Sequence, residues 1–101
     1  MKAWEVTSPG PLETAPLRLA ERAPPDPGPG EVLIQVRACG VCRTDLHIIQ
    51  GDLPAHRKNV VPGHEIVGTV IASGETASQF DIGTRVGIAW LRWTCGVCRF
   101  A

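Results

Sequence analysis

Turn-forming residues divide this chain into apolar runs that suit short strands and leave little room for helix. SPGP at 8–11 and APPDPGPG at 23–30 break the first third, and Gly or Pro recurs to the end. Between these breaks the apolar residues alternate. Residues 2–6 (KAWEV) and 17–22 (LRLAER) are brief strands, with Trp4 and Val6, then Leu17 and Leu19, as their alternating apolar positions. The clearest strand is 31–38 (EVLIQVRA), where Val32, Ile34, Val36 and Ala38 share a face opposite Gln35 and Arg37. In 65–72 (EIVGTVIA) both faces are apolar, which predicts a strand covered on both sides, and 85–91 (RVGIAWL) forms the last one. Gly68 and Gly87 inside strands predict bulges or bends of the kind that curl a sheet. One segment reads as helix: Thr44 or Asp45 caps its start, Leu46 and Ile49 are three apart, and Gly51 suits its end. The expected fold is all-β, a small barrel or sandwich with one short helix.

At 101 residues the chain is long enough for one domain and can bury over half of its unfolded surface. Too little chain precedes the proline-rich stretch at 23–30 to make it a linker, so it is expected to be a stiff surface loop. Ten basic residues balance ten acidic ones, so no net field favours nucleic acid or an anionic membrane. No signal-like start and no run of about 18 apolar residues occurs. The expectation is a soluble, cytoplasmic protein, in which the four cysteines are metal ligands, reactive thiols or small core residues rather than disulfides.

Two segments carry chemistry. ACGVCRTDLH (38–47) and PGHE (62–65) bring Cys, Asp, Thr, His and Glu into a short span. Cys and His together suit zinc, and a catalytic site keeps three protein ligands and one open position. Cys42 falls where a strand gives way to a helix amino-terminus, a place that favours a thiolate. The second segment is TCGVC (94–98), a Cys-x-x-Cys whose two thiolates can grip one tetrahedral metal. Cys39 is expected to be a small buried non-ligand, His56 a solvated loop residue, and Trp90 and Trp93 packing residues.

The span from GPGEVLIQVRACGVCRTDLH through VVPGHEIVGTV to TCGVC resembles the catalytic domain of medium-chain zinc-dependent alcohol dehydrogenases. That resemblance implies a GroES-like β-barrel over 1–101, incomplete, cut from an enzyme whose cofactor-binding Rossmann domain is absent from this chain. It implies that Cys42 and His64 bind catalytic Zn2+, with Glu65 beside the metal and Asp45 orienting the ligand His. Thr44 would take the alcohol proton and His47 would pass it toward solvent through the cofactor ribose. Arg43 would contact the pyrophosphate of NAD or NADP, and Cys95 and Cys98 would hold a structural zinc. The substrate would be a small alcohol or aldehyde, and the full-length protein a homo-oligomer.

Three departures are visible. The family's third catalytic ligand is a Cys beyond residue 101. No G-x-G-x-x-G occurs, so this segment alone is expected to be inactive. Ala101 stands where a third structural-zinc Cys is usual. Two other readings remain. A zinc-binding interaction module could use Cys39 and Cys42 with Cys95 and Cys98, although residues 43–94 separate the pairs, against roughly 15–20 residues in zinc ribbons. A co-chaperonin subunit would have the barrel but no use for CRTDLH and PGHE. Zinc-free quinone reductases share the barrel too, and Cys42 with His64 argues against them.

Overall fold

A computed structural model of the chain describes residues 1–54, 57–77, 79–91, 95 and 97–99. Its elements are β1 (Lys2–Val6), a single 3-10 turn (Leu12–Thr14), β2 (Leu17–Glu21), β3 (Val32–Cys39), α1 (Arg43–Gln50), β4 (Ile66–Ser73) and β5 (Arg85–Ile88). The fold is mainly β, with one short helix.

The strands form two antiparallel sheets, β1–β2 and β3–β4–β5. In the first, Trp4 lies opposite Leu19 and Val6 opposite Leu17. The buried Glu5 carboxylate is held between Arg22, at 3.3 Å, and Arg18, at 3.8 Å. Val6 also bridges to Val60, its N–H donating to the Val60 carbonyl at 2.9 Å. Beyond β1 the Gly10 N–H donates to the Ile49 carbonyl of α1 at 3.1 Å. These two contacts tie the hairpin to the remainder of the fold. The proline-rich loop runs over the surface, as expected. Its end is pinned to the β4–β5 turn by Gly30 N–H on the Glu75 carbonyl and Gly74 N–H on the Glu31 carbonyl, at 2.6 and 2.8 Å.

Several expectations are corrected. The β3–β4 register shifts between Leu33 and Ile34 and again between Val36 and Ala38. The second shift leaves Arg37 without a partner and rephases the strand. Val32 and Ile34 are half-buried, whereas Val36, before the unpaired Arg37, and Ala38, after it, are exposed. Gly68 sits at that irregularity, but Gly87 lies in unbroken register opposite Val67 and forms no bulge. β4 is covered on one face only: Val70 is fully buried, while Val67 and Ile71 are 44% and 46% exposed. β5 stops at Ile88 because its partner strand begins at the paired Ile66, so no rung remains for residues 89–91. Trp90, expected to pack, is 78% exposed. Trp93 and His56 lie outside the described residues.

The core is thin. Val6, Ile49 and Val70 are its buried apolar side chains among the described residues. The radius of gyration is 15.2 Å, above the roughly 13 Å of a compact domain this long.

Gly68 fills a place no larger residue can. A Cβ there would lie 2.5 Å from both the Gln35 carbonyl oxygen and Ile34 Cγ2. A backbone oxygen cannot swing aside, so Gly68→Ala should lose about 1–3 kcal/mol of unfolding free energy. At Gly87 the nearest atom is the Ile66 oxygen at 3.9 Å, and Gly87→Ala should stay within about 0.5 kcal/mol of the parent. Denaturant unfolding of the two variants side by side measures the contrast.

Candidate metal centre

The site begins where β3 ends. Cys42 is the residue before the first turn of α1, with extended backbone (φ −116°, ψ 155°), and it occupies the N-cap position. The cap was expected at Thr44 or Asp45. Instead Asp45 is the third helical residue, and its carboxylate Oδ2 accepts the Cys42 N–H at 2.9 Å. This is the returning half of a capping box, which satisfies a backbone donor that a helix start leaves open.

The other oxygen of the same carboxylate reaches across the fold. Asp45 Oδ1 lies 3.1 Å from His64 Nδ1. A carboxylate only accepts, so the proton of neutral His64 sits on Nδ1 and Nε2 is left with a free lone pair. Asp45 is buried and His64 half-buried, which limits the ways the ring can turn.

Cys42, His64 and Glu65 each offer one ligand atom, and those atoms lie within 4.8 Å of one another. A sulfur, a ring nitrogen and a carboxylate oxygen at that separation can converge on one cation, and the set suits zinc with one position open. The electrostatics favour the ligand forms unequally. The Cys42 thiol is held below its ordinary value, first by the Thr44 backbone N–H and then by the Thr44 hydroxyl and His64; partial burial and the Glu65 charge oppose this. Cys42 Sγ is 3.7 Å from Thr44 Oγ1. His64 is raised, chiefly by its hydrogen bond to Cys42 and then by the Asp45 charge, with burial opposing. Without a cation the pair therefore tends to share a proton between sulfur and imidazole, which a metal must displace.

Gly40 completes the site. Its N–H donates to the Glu65 carbonyl at 2.8 Å, and a Cβ on it would stand 2.7 Å from Glu65 Oε2. Sequence reasoning passed over Gly40; its place between two cysteines was the available signal. It also passed over Asp52, whose Oδ2 lies 3.2 Å from His47 Nδ1. A carboxylate soon after a helix-ending Gly was the clue.

The remaining candidates fall as follows. Arg43 and Thr44 open α1 and His47 lies in its last turn, Arg43 exposed and the others half-buried. Cys39 is no ligand of the cluster, but it is exposed rather than buried. Cys95 accepts the Cys98 N–H at 3.3 Å. Its thiol is lowered to about 7, first by the Val97 backbone N–H and then by that of Cys98. The metal-ligating cluster found among the described residues, Cys42 with His64 and Glu65, includes none of Cys39, Cys95 and Cys98. Ala101 lies outside the described residues.

The alcohol dehydrogenase GroES-like domain model matches residues 28–101. The chain belongs to this family. It is 55% identical over 105 residues to "Probable alcohol dehydrogenase AdhA" of Mycobacterium tuberculosis, covering 99% of the chain and 30% of that relative. An alcohol dehydrogenase of Geobacillus stearothermophilus is 44% identical over 84% of the chain and 26% of its own length. Among solved structures, the cobalt- and zinc-bound thermostable alcohol dehydrogenase of Pyrobaculum aerophilum superposes with a TM-score of 0.86 at 37% identity, over 98% of the chain and 29% of that structure. The chain thus spans at most about a third of the length of these relatives. Among the described residues, no helix is long and apolar enough to cross a membrane.

Asp45→Asn keeps a side chain of the same shape but removes the charge that orients His64. Cobalt(II) titration, read by its thiolate absorption, should show binding weakened about 10–100-fold. In the parent chain cobalt affinity should rise with pH as His64, held above the ordinary imidazole value, and Cys42, held below the ordinary thiol value, give up protons, and a pH-stat should record their release.

Proposed function

We propose that this chain forms the metal-holding part of a zinc-dependent alcohol dehydrogenase. The full-length protein would oxidise a primary or secondary alcohol by passing hydride to NAD or NADP, or run the reverse reduction of an aldehyde or ketone. What carries the reading is the gathering of Cys42, His64 and Glu65 donor atoms within 4.8 Å, in a chain of this family. Quinone oxidoreductases also appear among the structural neighbours, one mycobacterial enzyme with a TM-score of 0.75 over 86% of the chain. A thiolate and an oriented imidazole at one point are superfluous to a reductase that works without metal, and they favour the dehydrogenase.

Cys42 and His64 would hold zinc, which would supply Lewis-acid chemistry at a substrate oxygen. The chain's own residues handle the rest. Asp45 holds neutral His64 in its Nδ1–H form, which would leave the Nε2 lone pair for the metal. Glu65 stands beside it as an alternative oxygen donor when water or substrate exchanges. Thr44, next to the Cys42 sulfur, receives the hydroxyl proton of the alcohol. His47, one helical turn further on, passes that proton to water; an imidazole suits a relay that ends near neutral pH. Arg43, exposed at the start of α1, offers its guanidinium to the cofactor pyrophosphate. Cys95 and Cys98 offer two thiolates to a second, structural zinc. The balanced charge of the chain supports the reading that nucleic acid and anionic membranes are not partners; we take the full-length protein to be a cytoplasmic homo-oligomer acting on small molecules.

In the full-length protein Cys42→Ser and His64→Ala should each lower alcohol-dependent nicotinamide reduction by at least about a hundredfold, with loss of one zinc per chain by elemental analysis. Cys39→Ser should retain both. Parental turnover in the first two variants would sink the proposal.

A further inference from the structure

Asp52 has no task in the proposed chemistry, yet it is fixed against a residue that has one. α1 ends at Gln50, and Gly51 turns into the left-handed region (φ 85°) with its N–H on the Ile48 carbonyl at 3.3 Å. The chain then folds back until the Leu53 N–H donates to the His47 carbonyl at 3.2 Å. Residues 47–53 are therefore a closed loop, and inside it Asp52 Oδ2 lies 3.2 Å from His47 Nδ1. One backbone bond and one side-chain contact fix the same two segments.

The chemistry of that contact is directional. The carboxylate accepts, so Nδ1 of a neutral His47 carries the hydrogen and Nε2 is bare. Free imidazole in water has no such constraint. Both side chains are partly exposed, at 44% and 60%. Exposed pairs add little to folding, so the contact matters for orientation rather than stability.

We propose that Asp52 is a positioning residue for His47, holding the neutral ring in its Nδ1–H form so that Nε2 can take up the proton released in alcohol oxidation. The inference rests on the relay role given to His47 above. The proton leaving the substrate hydroxyl arrives at Nε2 and departs from Nε2 to water. The hydrogen on Nδ1 stays with Asp52 throughout. The two electrons leave as hydride to the nicotinamide, so no further oxidant is involved.

The test uses the zinc-loaded full-length enzyme with 15N-labelled histidine, the His47 signals being assigned by their loss in His47→Ala. The parent should show a bare Nε2 at His47. In Asp52→Ala the signals should move toward the Nε2–H form, and kcat for alcohol oxidation should fall about tenfold while zinc content and the KM for nicotinamide hold. Asp52→Asn, which keeps an acceptor oxygen, should restore most of both. Adding Asp52→Ala to His47→Ala should cost nothing further, since the residue acts only through the ring. An unchanged tautomer in Asp52→Ala, or an undiminished loss once His47 is gone, overturns the inference. Parental turnover in His47→Ala overturns the relay reading itself, and the tautomer spectra then judge Asp52 separately.

Discussion

The rest of the site depends on one buried carboxylate with two employers. Asp45 Oδ2 satisfies the Cys42 backbone N–H at the start of α1, and Oδ1 meets Nδ1 of His64, nineteen residues away in sequence. Each contact alone is ordinary. Together they make the helix start and the PGHE loop a single rigid body, because the carboxylate cannot rotate to improve one bond without spoiling the other. The thiolate sulfur and the ring nitrogen, which belong to distant parts of the chain, inherit their separation from it.

That arrangement also explains why the cysteine is poised. Its sulfur stands beside the first amides of a helix, and the Thr44 N–H and hydroxyl both lower its thiol toward the ionised form. The neighbouring imidazole is raised in response. Nearly all of this charge management is local to residues 42–45, which is why four consecutive letters carry so much of the chemistry.

Much of this was legible in the sequence for that reason. CRTDLH and PGHE point to Cys42, Asp45 and His64, and every strand lies within a few residues of its expected place. The failures are of one kind: they concern partners rather than patterns. Alternation in 31–38 indicates the strand but reveals neither that Arg37 is left over when β3 meets β4 nor that Val36 and Ala38 stand exposed. The cap was set two or three residues too late because Cys is an unusual cap residue, and the deciding bond comes back from the third helical position. Apolar letters on both sides of β4 implied two covering layers. Letters report a preference for burial, and the chain in hand supplies cover to only one side. Gly40 was overlooked, although it lies between two cysteines, because its reason is the carboxylate of a residue remote in sequence.

The uncovered side of β4 has a practical corollary. Val67 and Ile71 stand in a row on a strand whose neighbours are already hydrogen-bonded, so this patch cannot recruit another strand through its edge; it can only be overlain. Water wets such a patch poorly. Whatever covers it must therefore bring an apolar surface of its own rather than a free strand edge.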